Sequence, residues 1–281
     1  MRVILCLILT LSVYACSNSQ KSLLEESNIE YNFSDAITKL KSNQKKDAYN
    51  ILIKLADQGD AKSANELGRI YQFGVIDEKN CDKAKYWYEK SSELGYKVAT
   101  HNLAYLYMSN ECSFQNISIS KKILFENQSY APSQNLLGVI YIRGLDGNVD
   151  VRRGIEYLEK ASDQNNVDAI NSLGLIYLKG IEVTPDLEKA KMYFDKAILL
   201  GDTNALINLA SMYLIGNGVK KNEKYAFELI EKAAKKNNAI AQFHLAEFYE
   251  KGEIVGKNIE KSKYWYRRSA KNGYSQAQMK L

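Results

Sequence analysis

Proline and histidine are nearly missing from this chain, with 2 of each in 281 residues. So little proline excludes a proline-rich extended or linker architecture. The histidines, His101 and His244, stand far apart and no Cys-x-x-Cys occurs, so no residues fall at metal-ligand spacing and no metal or cofactor is expected. A repeated carboxylate pair, a phosphate loop and Gly-x-Ser-x-Gly are also absent, and a serine nucleophile would lack an evident base. The chain is therefore not expected to be an enzyme. The formal charge of +5 is modest. Lys220, Lys221, Lys224 and the Lys235-Lys236 pair form short clusters beside turns, without a basic stripe interleaved with aromatics, so nucleic acid is not an expected partner. Only one apolar run stands out. Val3 to Ala15 follows Arg2 and has the length of a signal-peptide core, too short to cross a bilayer as a helix.

Tyrosine, in contrast, is plentiful at 20 residues. Tyr71, Tyr107, Tyr141, Tyr177, Tyr213 and Tyr249 recur at intervals of 36, 34, 36, 36 and 36 residues. A fixed period of this size marks one supersecondary unit stacked on copies of itself. Leu67, Leu103, Leu137, Leu173, Leu209 and Leu245 precede those tyrosines by four residues, each followed by a small residue: Gly68, Ala104, Gly138, Gly174, Ala210 and Ala246. In the fourth repeat Ala169, Leu173, Ile176 and Tyr177 share one stripe of a helix.

The punctuation is equally regular. Gly74, Gly144, Gly180, Gly216 and Gly252 follow the first helix, with Asn110 as the second repeat's substitute, where a left-handed residue can end it. Asn80, Asn116, Asp150, Asp186, Asn222 and Asn258 then cap a second helix. Pro185 precedes one cap and Pro132 falls in the first turn of another helix, where a missing amide costs little. The second helix carries a small column (Ala48, Ala84, Ser120, Gly154, Ala190, Ala226, Ser262) and a bulky one (Ile51, Trp87, Ile123, Tyr157, Tyr193, Leu229, Trp265).

Ala-x-x-x-Leu-Gly-x-x-Tyr, then Gly-x-Gly-Val, an Asn or Asp, Lys-Ala and Trp-Tyr resembles the Sel1-like repeat, a relative of the tetratricopeptide repeat. Its best local matches are Ala205 to Val219 and Lys83-Ala84 with Trp87-Tyr88. Ser63 and Ser133 replace the leading alanine, and the second repeat is the most degenerate. The resemblance implies an all-α, right-handed α-solenoid of about six helical hairpins, with partial units at both ends. Residues 31 to 60 read as an incomplete amino-terminal repeat whose first helix begins near Phe33. Residues 61 to 281 read as the repeats, closed by a stub around Ala277 and Leu281.

Val13-Tyr14-Ala15-Cys16 resembles a bacterial lipoprotein cleavage site. It implies a signal peptide over 1 to 15, lipid on Cys16, a flexible tether over 16 to 30, and a periplasmic location on the outer membrane of a Gram-negative bacterium. Tyr14 is untypical there and leaves ordinary secretion or a retained anchor open. If the protein is exported, Cys81 and Cys112 remain as an even pair in an oxidising compartment, and a disulfide between them is the expectation.

A solenoid presents an extended face lined by its first helices. The positions pointing away from the Leu and Tyr stripe are Asn65, His101, Asn135 and Asn171, joined by Arg69, Tyr105, Arg143, Lys179, Glu247 and Glu250. The asparagines are expected to offer amides to an extended peptide or a partner loop. Ile207 and Phe243 replace the polar residue in the last two repeats and, with Leu214 and Ile215, are expected to form an apolar patch. The expected function is a non-catalytic scaffold or adaptor binding a protein or peptide on this face, touching the membrane only through its lipid. The family resemblance adds a second possibility, an immunity protein neutralising a phospholipase-type effector of type VI secretion. A third is a protein that binds or hydrolyses β-lactams, for which no Ser-x-x-Lys stands with the necessary partner motifs.

Overall fold

A computed structural model describes residues 32–280. Cys16 and the segments expected to be signal and tether lie outside the described residues. Among the described residues there are helices and no strands. In chain order these are α1 (Phe33–Lys41), α2 (Lys45–Asp57), α3 (Ala61–Phe73), α4 (Cys81–Glu93), α5 (Lys97–Met108), α6 (Ile117–Glu126), α7 (Ala131–Arg143), α8 (Val151–Asp163), α9 (Val167–Lys179), α10 (Leu187–Leu199), α11 (Thr203–Ile215), α12 (Glu223–Lys235), α13 (Ala239–Lys251), α14 (Ile259–Lys271) and α15 (Ser275–Gln278). The fold is an all-α solenoid. The chain forms two compact units, Met1–Leu106 and Tyr107–Leu281, with the division inside α5. In the first, α1 packs on α2, α2 on α3 and α3 on α4; in the second, every helix from α6 onward packs on the next.

Each hairpin is closed by one residue acting twice. The side chains of Asn80, Asn116, Asp150, Asp186, Asn222 and Asn258 accept the backbone amide three residues on, at 2.9–3.0 Å, and so start α4, α6, α8, α10, α12 and α14. Their own backbone amides donate to the carbonyls of Tyr71, Tyr107, Tyr141, Tyr177, Tyr213 and Tyr249 at 2.8–2.9 Å. Those carbonyls lie in the last turn of the first helix, where no intrahelical donor is available. The glycine column between them takes φ of 59 to 76°, left-handed in every case. In the second repeat α5 ends at Met108, two residues short of Asn110.

The residue whose amide is capped often returns a cation to the tyrosine ring. Lys83 lies 5.0 Å from the Tyr71 centroid, Arg153 4.8 Å from Tyr141, Lys189 5.0 Å from Tyr177 and Lys261 5.1 Å from Tyr249. In the fifth repeat Tyr225 takes the place, edge-on to Tyr213 at 4.8 Å. Such contacts contribute about 0.5–1 kcal/mol each at exposed sites.

Inside the hairpin, the small residue after each leucine sets how closely the helices approach. A Cβ on Gly174 would stand 2.5 Å from the ring of Phe194, which is wholly buried, and one on Gly68 would stand 2.5 Å from the ring of Tyr88. At both ends of the row the stack is covered. Ala36 of α1 is buried, and α15 places Ala277 and Tyr274 against the cluster of Phe243, Ala246 and Tyr266. Cys81 and Cys112, the two cysteines among the described residues, are disulfide-bonded.

Gly174→Ala is expected to destabilise the protein by about 1–3 kcal/mol through overpacking against Phe194, seen as a lower urea midpoint with unchanged slope. Burial pushes the phenols of Tyr71 and Tyr193 from 10.0 up to about 12, and the Tyr49 hydroxyl, 2.5 Å away, adds to the shift at Tyr71. The unfolded phenols ionise first as pH rises, so this stabilisation is complete below pH 10 and is lost as pH approaches 12. The urea midpoint should therefore fall across that interval together with the rise of tyrosinate absorbance; a flat midpoint would contradict the burial of these rings.

Candidate functional site

The residues expected on the first-helix face divide between the two compact units. In the first, Asn65 is buried and its Oδ1 accepts from Asn102 Nδ2 at 2.9 Å. Its amide is thus held by the neighbouring first helix and is not open to a peptide, a correction to the expected ladder. Arg69 is exposed and pairs with Glu66 at 2.9 Å on its own helix. Tyr105 is half exposed. His101 is half-buried, and desolvation holds its imidazole below the ordinary value, favouring the neutral ring.

In the second unit the same interhelix pairing recurs. Asn171 Oδ1 accepts from Asn208 Nδ2 at 3.0 Å. Both pairs link residues 37 apart, one repeat plus one position, so Asn65 and Asn171 each bond to the next repeat. Asn135 breaks the pattern. The matching position is Ser172, and the Asn135 Oδ1 atom is buried with no partner. Arg143, Lys179 and Lys251 end α7, α9 and α13 as exposed cations, while Ile215 ends α11 with 73% of its surface exposed. Cations at helix carboxyl ends are favoured by the helix dipole, so position alone accounts for their presence.

The apolar patch needs a second correction. Phe243 is buried, its ring 5.3 Å from Tyr266 and 5.2 Å from Tyr274, because the carboxy-terminal stub folds over it. Ile207 and Leu214 are half-buried and line a cavity of about 200 Å³ between α11 and α13, together with Ile230 and Phe248. Its rim carries His244, Glu247, Lys251 and Glu253. His244 Nδ1 lies 3.0 Å from Glu247 Oε2. Glu250 points elsewhere: Tyr266 donates to its Oε2 at 2.6 Å, and this bond, with Lys280 at 3.3 Å, holds its carboxyl below the ordinary value.

Sequence reasoning placed Ile207, Leu214 and Glu247 at this end of the face but missed Ile230, Phe248 and Glu253. Ile230 and Glu253 belong to a second helix and a turn, outside the column searched. The asparagine pairs had a readable signal in the shared offset of 37 residues.

Successive capped hairpins within each unit define the α-solenoid class of repeat folds, which serve as protein-interaction scaffolds. The Sel1 repeat model matches residues 61–96, 131–166, 167–202, 203–238 and 239–274, and the chain belongs to the Sel1 repeat family. The unmatched stretch between 96 and 131 is the repeat whose sequence is most degenerate. Among solved structures the chain is similar to c5321, a protective antigen of uropathogenic Escherichia coli strains displaying an SLR fold, with 28% identity and TM-score 0.64. That alignment covers 83% of this chain and 50% of the other, so the chain spans half the length of that protein. A Sel1 repeat protein from Oxalobacter formigenes aligns over 85% of this chain and 99% of its own, at 22% identity and TM-score 0.74. The immunity protein Pa5087 from Pseudomonas aeruginosa aligns over 75% and 81%, at 18% identity and TM-score 0.56. These last two likenesses show the fold. No curated protein matches the chain.

Ser172→Asn should restore the missing rung by donating to Asn135 Oδ1, raising stability by about 0.5–1.5 kcal/mol. Thermal unfolding of this variant alongside Asn208→Ala, which orphans Asn171, measures the pairing in both directions; a Ser172→Asn variant no more stable than the parent would count against it.

Proposed function

We propose that the chain is a non-catalytic scaffold of the bacterial envelope, tethered by lipid on Cys16 at the periplasmic face of the outer membrane, that binds one protein or peptide partner on its first-helix face. The carrying observation is the row at the ends of α7, α9, α11 and α13. Arg143, Lys179, Ile215 and Lys251 recur once per repeat and are exposed. Beside them, the asparagine column is largely occupied by interhelix bonds. Stacking thus uses the asparagines and leaves the cations and Ile215 for a partner. Separated cations that keep their hydration contribute to the rate and specificity of association more than to affinity.

A second reading is an inhibitor that neutralises a toxic effector. It draws support from the fold shared with the Pseudomonas immunity protein, since such a protein also needs one binding face and no reaction centre. The two readings differ in the partner's nature.

A photo-crosslinking amino acid placed at Arg143 or Lys179 should yield a discrete adduct with one envelope protein in living cells, whereas placement at Lys122 or Glu156 on the second helices should not. Adducts of equal yield from both sets, or none from the first, would exclude this face. A toxin in the adduct, encoded beside this chain's gene, would select the inhibitor reading.

A further inference from the structure

The cavity between α11 and α13 gives the proposed partner a chemical description. We propose that it receives one bulky apolar side chain of the partner protein, with a basic residue beside it, an inference that rests on the scaffold reading above. The volume is about 200 Å³, below the roughly 300–1,000 Å³ of sites that enclose a whole small ligand, and suited to one side chain. Its walls are mainly apolar, formed by Ile207, Leu214, Ile230 and Phe248 with the small polar Ser211 among them. Such a pocket, lined by apolar groups and edged by polar ones, is where an anchoring residue contributes most to an interface.

The rim decides the neighbour. Glu247 directs Oε2 to His244 Nδ1, leaving its other oxygen to accept a donor. Glu253 makes no ion pair among the described residues, and the two carboxylates outnumber the ammonium of Lys251. Acceptors grouped in this way match the several donors of a guanidinium better than any anion. The partner segment is therefore an aliphatic or aromatic residue adjoining arginine.

The full chain, isotopically labelled at isoleucine and leucine methyls, is titrated with N-acetyl-Leu-Arg-amide, N-acetyl-Leu-Glu-amide and N-acetyl-Ala-Arg-amide. The first should shift the methyls of Ile207, Leu214 and Ile230 saturably and bind about fivefold more tightly than the second, the ratio expected of one partly exposed ion pair. The alanine compound should leave those methyls in place. Leu214→Trp, which fills the cavity, should abolish the shifts. The double variant Glu247→Gln with Glu253→Gln, checked for native helicity, should bring the Leu-Arg and Leu-Glu compounds to equal affinity. Unmoved methyls in the parent chain, or equal affinity for both leucine compounds there, overturns the proposal. The titration contains no natural partner, so its outcome is separate from the adducts formed at Arg143 and Lys179, and either result can fail alone.

Discussion

The distance between the two helices of a hairpin governs everything else in this protein. Where Gly68, Gly138 and Gly174 face Tyr88, Leu158 and Phe194, the absence of a side chain lets the larger group fill the space against the opposing backbone. That contact brings the end of the first helix close enough for the next cap residue to reach it. The amide of Asp186 can then close on the carbonyl of Tyr177 while its side chain starts α10. Packing, capping and loop closure are one event at each turn, because moving either helix outward would break all three. Interiors packed to this density respond to small changes of volume as a whole.

A consequence is that the surfaces left over are simple to identify. The inner stripe of each helix belongs to the stack, as does most of the asparagine column, since a buried amide without a partner is costly. Only what lies outside these constraints is free to differ between repeats. Along the second unit the free positions read as cation, cation, isoleucine and cation at the ends of α7, α9, α11 and α13. The column expected to carry asparagines becomes Ile207 in the fifth repeat, where it joins Leu214 and Phe248 in bordering a cavity. Function on such a fold is variation laid over repetition.

Much of this was legible in the sequence because it is local and repeated. A capping asparagine acts three residues away, a left-handed glycine within one turn, and a stripe of Leu and Tyr within a single helix. Six registered copies raise each signal above accident. What stayed hidden depends on residues a whole repeat apart or on the end of the chain. Asn65 looked like an open hydrogen-bonding group until Asn102 was placed beside it. Phe243 looked exposed because its column carries polar residues in the first four repeats, yet Tyr274, beyond the last full hairpin, covers it. A column predicts which way a side chain points, whereas its surroundings depend on what the next repeat supplies.

The sixth repeat shows how a few residues can redirect a surface. On the far side of the sixth repeat, Tyr274 and the short α15 pack where a neighbouring hairpin packs in the repeats before it. Phe243, Tyr266 and Tyr274 form a cluster of rings there, with Ala246 and Ala277 completing it. The phenol of Tyr266 then needs an acceptor, and Glu250 supplies one; Tyr88 meets the same need in the first repeat through Gln72, at the corresponding position. Replacing the neutral amide by a carboxylate lets Lys280 join the contact and ties the end of the chain to α13. The aromatic residue that would have widened the binding face instead closes the core, which confines the apolar opening to the gap between α11 and α13. The position of the cavity therefore follows from which members of the column are covered: Phe243 is, and Ile207 is only half-buried.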